Sequence, residues 1–466
     1  MKYEFLQFSD LYIKNEYQES LNDLNMIFLE GETHLLWGWD STPRILANIF
    51  RGKGRIIRGS LRINGRKIEN WSRESFEKDG IFYVDSQVEF MNSINLAENL
   101  FLLKNNSLKK IRLNRKAIMI RTRELLEKYE LSLDAGQKVI ELRAIEKVLF
   151  QLVRLADRKA KMLVLGELSQ ICSRKDLRLL LEVLGKLKRE GISLLIYDSH
   201  PEYFRELADE YYLMRGGYLV KKFWEKERFE EYWELAGNPR EVRRQQETVF
   251  LKPQDTHRCF RWKNCDGKEV SLEVLAGEIV YIRTSGWEQQ QEIRKKLLGE
   301  NGQKTVFESG ECRLTYEDGR GLVENKIGFW GEGPLKAEYF SNLSVRDNIL
   351  LPSVKKISRF GFYQSGEKFV FGDQSFFSEL GEIEKSQSLT DKNIIKILCY
   401  RWKLFHPKVL ILHNILSRAD MEMKEWLQKE LLEMAGRGTS LILLEAFEED
   451  ALPLAGRVEI PNQQWI

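Results

Sequence analysis

Five cysteines are the first residues to test for metal or redox chemistry, and their spacing argues against it. Cys172, Cys259, Cys265, Cys312 and Cys399 are scattered along the chain, whereas a structural zinc site brings Cys and His together in close pairs. Cys259 and Cys265 are near each other, but no second Cys/His pair completes a set, so no metal site is expected. Two further residues could do proton or anion chemistry. Glu167 follows the apolar run Met162–Leu165. A carboxylate at a strand end can act as a general base, and in the plainer reading it is solvated. His200 follows a second apolar run and stands where a helix would begin. It reads either as a functional imidazole or as a local cap.

The elements that would position these residues follow from periodicity. Phe5–Ile13, Asn25–Phe28 and Glu32–Trp37 read as strands, followed by a turn and a helix over 43–51. Residues 114–130 and 142–158 have helical periodicity, with Leu125, Leu126, Leu149, Leu152, Val153 and Leu155 on apolar faces. Met162–Leu165 reads as a buried parallel strand, and helix 175–190 and strand Ile192–Tyr197 follow. Ile63-Asn64-Gly65-Arg66 reads as a hairpin turn, because Asn-Gly tolerates positive φ. Alternating strands and helices argue for an α/β fold with a parallel sheet.

The pattern then repeats. Leu163-Val164-Leu165 returns as Leu410-Ile411-Leu412, and Gly191-Ile192-Ser193-Leu194 as Gly438-Thr439-Ser440-Leu441. Asn95–Asn99 returns near Leu343–Asn348, and Gly31-Glu32 as Gly277-Glu278. Landmarks in one order at one offset, about 247 residues, mean two copies of one domain. The copies are expected over 1–222 and 251–466, with a charged helix and linker over 223–250 that lacks a clear core face. Asp318-Gly319 is expected to form the second copy's hairpin turn. At 466 residues each copy can bury a full core.

Composition narrows the class. Charged residues make up 31% but the net charge is only +3, so no global field favours nucleic acid. No apolar run approaches the roughly 18 residues of a membrane span, and the N-terminal residues lack a signal-peptide apolar segment. A reduced, cytoplasmic protein is expected.

In this order the residues resemble the tandem ATP-binding cassette (ABC) subunits of bacterial sugar importers, the ribose/galactose type. The resemblance covers almost the whole chain and is carried best by Leu389–Leu412 and Leu343–Leu350. In the first stretch the family has LSGGNQQK, then a helix and a strand ending in Asp-Glu-Pro. Leu389, Asn393, Lys396, Trp402, Pro407, Lys408, Val409 and Leu410–Leu412 fit that pattern without a gap. The resemblance implies two tandem P-loop NTPase-like cassettes. Each would have a mainly parallel core sheet, an antiparallel β region and a helical subdomain. It implies ATP and Mg²⁺ as ligands and an integral-membrane sugar permease as partner, at the inner face of the plasma membrane. It also implies head-to-tail cassette pairing, so that one copy's phosphate loop meets the other's signature segment.

Carried over residue by residue, the family's chemistry is damaged. Its phosphate loop is GxxGxGK[ST], whose backbone N–H groups and lysine hold the phosphates. The first copy reads Gly38-Trp39-Asp40-Ser41-Thr42-Pro43-Arg44. Arg44 reads either as a substitute for the lysine or as an exposed helix-start residue, Ser41 or Thr42 would take the place of the Mg²⁺-side hydroxyl, and Asp40 puts an anion where phosphate should lie. The second copy reads Arg283–Gln291, with Gln290 and Gln291 at the basic and hydroxyl positions. The Asp-Glu strand end is Gly166-Glu167 in the first copy and His413-Asn414 in the second, so only Glu167 survives as a base. The signature segments, Leu142–Glu146 and Leu389–Asn393, have no glycine. Thr390 or Asp391 reads as a helix N-cap. The family's switch histidine falls on His200, with Ala446 as its counterpart in the second copy. The glutamine loop falls on Gln87 and Glu332, beside Phe90, Met91 and Trp330 as candidate apolar permease contacts.

The resulting expectation is a catalytically impaired sugar-importer-like cassette protein acting as a scaffold or regulator, with ATP binding weak or absent. The alternatives are an ATP-hydrolysing importer subunit that uses Arg44, Glu167 and His200, and a nucleotide sensor that binds without hydrolysis.

Overall fold

The computed structural model describes residues 3–14, 20–87, 90–102, 115–236, 255–263, 270–300, 305–309, 312–317, 319, 321–331, 338–353, 389–417 and 419–461. They fall into two compact units, Met1–Asn238 and Pro239–Ile466.

The first unit runs β1 (Glu4–Lys14), β2 (Ser20–Leu29), β3 (Thr33–Gly38), α1 (Thr42–Asn48), β4 (Arg55–Ile63), β5 (Arg66–Lys67), α2 (Arg73–Lys78), β6 (Ile81–Val84), α3 (Leu96–Leu102), α4 (Arg115–Lys128), α5 (Ala144–Asp157), β7 (Met162–Gly166), α6 (Arg174–Arg189), β8 (Ser193–Tyr197), β9 (Glu210–Arg215), β10 (Tyr218–Phe223) and α7 (Lys226–Ala236). Its main sheet has the order β10-β9-β3-β8-β7-β6. All neighbours pair parallel except β10, which returns antiparallel on β9. A separate antiparallel sheet has the order β2-β1-β4-β5.

Strands β7 and β8 are buried at every residue, because helices or a second sheet cover both faces. Alternate residues divide accordingly. Leu163, Leu165, Leu194 and Ile196 face the core shared with α5 and α6. Met162, Val164 and Leu195 face the core shared with α1 and the antiparallel sheet. The Asn64-Gly65 turn forms as expected, with φ of 49° and 73° and Ile63 paired to Arg66.

The second unit runs β11 (Asp255–Lys263), β12 (Val270–Ala276), β13 (Ile279–Ile282), α8 (Trp287–Leu298), β14 (Thr305–Ser309), β15 (Cys312–Tyr316), β16 (Ile327–Trp330), α9 (Val345–Leu350), α10 (Asp391–Phe405), β17 (Val409–His413), α11 (Met421–Gly436), β18 (Ser440–Leu444), α12 (Glu448–Ala451) and β19 (Arg457–Glu459). Its main sheet, β16-β17-β18-β13-β19, is parallel throughout, and its antiparallel sheet has the order β12-β11-β14-β15.

The repeat extends to single side chains. Asn99 accepts the Met91 N–H at 3.0 Å and donates to the carbonyls of Met91 and Asn95, both at 3.1 Å. Asn348 does the same with Phe340 and Ser344, at 2.9, 2.9 and 3.0 Å. A buried amide that must satisfy its own polar atoms thus ties down the same turn in both units.

Two expectations fail here. Asp318-Gly319 is not the second hairpin turn: β14 and β15 close between Ser309 and Cys312. Gly319 comes after β15, and its N–H donates to the Leu298 carbonyl at 2.8 Å. Asp318 itself lies outside the described residues. The charged segment after the first copy does have a core face. On α7, Phe229, Tyr232 and Trp233 lie 5.9, 6.4 and 4.7 Å from Trp37, ring centre to ring centre, and Phe229 stacks on Tyr211. Sparse aromatics among many charges hid this face, because three large rings suffice to anchor a helix of three turns.

Candidate functional site

In open parallel sheets, ligands bind outside the carboxyl ends of the strands. Those ends are β3, β7 and β8 in the first unit and β13, β17 and β18 in the second.

In the first unit the loop after β3 is bound to its own chain. Asp40 accepts the Thr42 N–H at 2.9 Å through one oxygen and the Gly216 N–H at 2.6 Å through the other. The Thr42 hydroxyl accepts the Gly217 N–H at 3.0 Å. A Cβ on Gly38 would fall 2.8 Å from the Pro43 ring, so the proline fills the space above the strand end. Trp39 packs on Trp37 at 4.7 Å, with Arg215 over its ring. Ser41 is the N-cap of α1 but makes no side-chain cap. The charge of Arg44 acts on Tyr197, placing it near the end of β8.

The end of β7 is equally occupied. A Cβ on Gly166 would lie 2.4 Å from the Tyr83 hydroxyl and 2.9 Å from that of Tyr197. The two hydroxyls are 3.2 Å apart. Burial pushes Tyr83 up to about 12, with the Asp85 charge adding to it. Burial also raises Tyr197 well above the ordinary phenol value, so both stay neutral hydrogen-bonding groups. The carboxylate that the family places here is thus replaced by two phenols from β6 and β8. Glu167 has left-handed φ of 50°, is half-buried, and accepts from the Ser199 hydroxyl at 3.4 Å.

His200 is not aimed at an open site. It is buried, stacks on Tyr203, and its N–H donates to Asp198 at 2.9 Å. Its Nδ1 is 3.4 Å from the Ser169 hydroxyl, and that hydroxyl donates to Asp198. Gln87 is exposed and its N–H donates to Asp85 at 2.8 Å.

The second unit is closed more completely. Gln290, at the family's basic position, is 1% exposed, and Asn414, at the reacting-carboxylate position, is 2% exposed. The two amides exchange hydrogen bonds, Gln290 Nε2 to Asn414 Oδ1 at 3.0 Å and Asn414 Nδ2 to Gln290 Oε1 at 3.1 Å. Gln289 accepts the Ser285 N–H at 2.6 Å and its hydroxyl at 3.0 Å. Arg283 pairs with Glu448. Asn414 repeats the left-handed φ of Glu167, at 54°, and its N–H donates to Leu444 as that of Glu167 does to Tyr197, both at 2.9 Å.

The signature segments are ordinary helix starts. Thr390 caps α10 by accepting the Asn393 N–H at 3.1 Å. Glu146 folds back to accept the Arg143 N–H at 2.9 Å. Among the candidate permease contacts, Trp330 is 0% exposed and belongs to the core, whereas Met91 is 58% exposed. Phe90 packs on Phe150 at 5.6 Å. Glu332 lies outside the described residues.

Strand register also corrects one pairing. β8 and β18 have five residues each and are followed by Asp198 and Glu445. His200 therefore corresponds to Phe447, not to Ala446. Asp198 and Glu445 carry one signal in the sequence, an acidic residue directly after the same apolar run in both copies.

Among the described residues one group has metal-ligand types, Glu32, His34 and Glu210 at the opposite end of the sheet. Glu210 already takes the Lys222 ammonium at 2.7 Å and the Tyr212 hydroxyl. The positive charge is supplied by the chain.

Two α/β units with these sheets and this internal repeat have the architecture of tandem ABC-type cassettes. Over nearly its whole length the chain resembles the ATP-binding subunits of ribose importers. It is 22% identical to the ribose import ATP-binding protein RbsA of Bacillus licheniformis, across 98% of this chain and 94% of the relative. It is also 22% identical to the protein of that name from Bacillus subtilis strain 168, across 95% and 92%. No family model matches. Among solved structures, the ADP conformation of an ATP-binding cassette of an ABC transporter is similar at 18% identity and a TM-score of 0.44, covering 53% of this chain and 99% of that one.

The loop N–H groups of Thr42 and Ser285 are already bonded, two phenols pack at the end of β7 beside Glu167, and Gln290 and Asn414 bring no charge.

Proposed function

We propose that this chain is a sugar-type ABC import subunit that has lost nucleotide turnover and acts as a scaffold or regulatory partner of an integral-membrane sugar permease at the inner face of the membrane. The transport assignment comes from its likeness to ribose import ATP-binding proteins along nearly the whole chain. Among the described residues no helix is long and apolar enough to cross a membrane, so attachment goes through such a partner. The observation that carries the loss of turnover is the buried Gln290–Asn414 pair. It joins the helix that should offer a cation to phosphate with the strand end that should offer a carboxylate to water. A charge-assisted bond contributes about 1.5–3 kcal/mol, so losing two or three weakens phosphate binding by roughly three or more orders of magnitude.

Calorimetric titration with Mg-ATP tests this, and no heat is expected at millimolar nucleotide. Saturable binding would restore the sensor and ATPase readings. Phosphate release that disappears in Glu167→Gln would then select the ATPase.

A further inference from the structure

The carboxylates after β8 and β18 recur at one structural position, and each is spent on the loop after the neighbouring strand. Asp198 accepts the Ser169 N–H at 2.9 Å and the Ser169 hydroxyl. Glu445 is 0% exposed and accepts four bonds: from the N–H groups of Ile415, Leu416 and Ser417 at 3.0, 3.1 and 3.0 Å, and from the Ser417 hydroxyl at 2.8 Å. Four donors on two oxygens fill the acceptor capacity of an ionised carboxylate, and such bonds are the stronger, charge-assisted kind. Two different acids, of different length, converge on the same task in the two units.

The four donors favour the ionised form of Glu445 against burial and the Asp450 charge. Asp450 faces Glu445 and is itself held by the Lys424 ammonium. Tyr281 of β13 also senses the Glu445 charge. Around Asp198 lie Ser169, the buried His200 and its N–H, and the Cys172 thiol, on which its charge acts. The strand ends of a parallel sheet are where an external ligand would organise these loops.

We propose that Asp198 and Glu445 are internal ligands, anions supplied by the chain to the backbone N–H groups beside β7 and β17, which hold both post-strand loops in one conformation without nucleotide. This deepens the proposed function, on which its meaning as a regulatory lock rests: the cassette pair has a built-in set state.

Hydrogen exchange on the full chain without nucleotide tests it. The amides of Ser169 and Ile415–Ser417 should be protected in the natural chain. Asp198→Asn should speed exchange of the Ser169 amide about tenfold, and Glu445→Gln that of Ser417 most, because one oxygen becomes an N–H₂ facing other donors. The amides of β8 and β18 should stay protected, which reports an intact fold. If either variant loses strand protection as well, Ser169→Ala and Ser417→Ala take its place and should speed exchange at the same loops. Unprotected loop amides in the natural chain, or unchanged protection in the variants, overturn the proposal. Binding of Mg-ATP would sink the proposed function and leave this measurement, made without nucleotide, to decide the lock on its own.

Discussion

Gln290 and Asn414 satisfy each other, so removing one is worse than removing both. Gln290→Ala leaves a buried amide without its partner and should destabilise the second unit by about 1–3 kcal/mol. The pair Gln290→Leu with Asn414→Leu replaces both polar groups and should cost less than the sum of the single changes. Denaturant unfolding in a double-mutant cycle measures the difference, and strict additivity would mean that the two amides do not interact.

At the scale of elements, what matters is which strand ends are filled. Gly166 allows the Tyr83 and Tyr197 hydroxyls to approach the end of β7, so Gly166→Asp must push one of them aside. A loss of about 1–3 kcal/mol is expected from such overpacking; a neutral substitution would show that the end of β7 has room. The elements themselves were legible in the sequence because buried parallel strands read as short apolar runs, Met162–Leu165 and Leu410–Leu412 among them, and their helices carry strong stripes. The missing charges were legible too, since Gln290 and Asn414 fall on known motif positions. What filled their places was not. Tyr83 is far from Gly166 in sequence, and Asp40 meets Gly216 only because β9 pairs with β3. Contacts of that kind follow from sheet order, which periodicity along one strand does not encode. The core face of α7 was missed for a related reason. Its three rings find their partner, Trp37, nearly two hundred residues upstream. Phe229→Ala should therefore cost about 3–5 kcal/mol, measurable as a lower unfolding midpoint of the first unit.

For the whole molecule, two units with separate cores should respond to ligand in whatever way their own strand ends allow. A cassette that binds nucleotide with Kd of about 50 μM would be stabilised by about 2.7 kcal/mol at a hundredfold excess of ligand, close to 5 mM. In a unit of this size that amounts to roughly 5–10 °C in the unfolding midpoint. In this chain the Thr42 and Ser285 N–H groups are bonded to Asp40 and Gln289, and Gln290 is bonded to Asn414. Nucleotide must break these bonds before forming its own, and no lysine offsets the loss. Calorimetric unfolding with 5 mM Mg-ATP should therefore move neither unit by more than about 1 °C. A shift confined to the transition that Phe229→Ala lowers would locate a working site in the first unit, at Arg44 and Glu167. A shift in the other transition would require the Gln290–Asn414 pair to open.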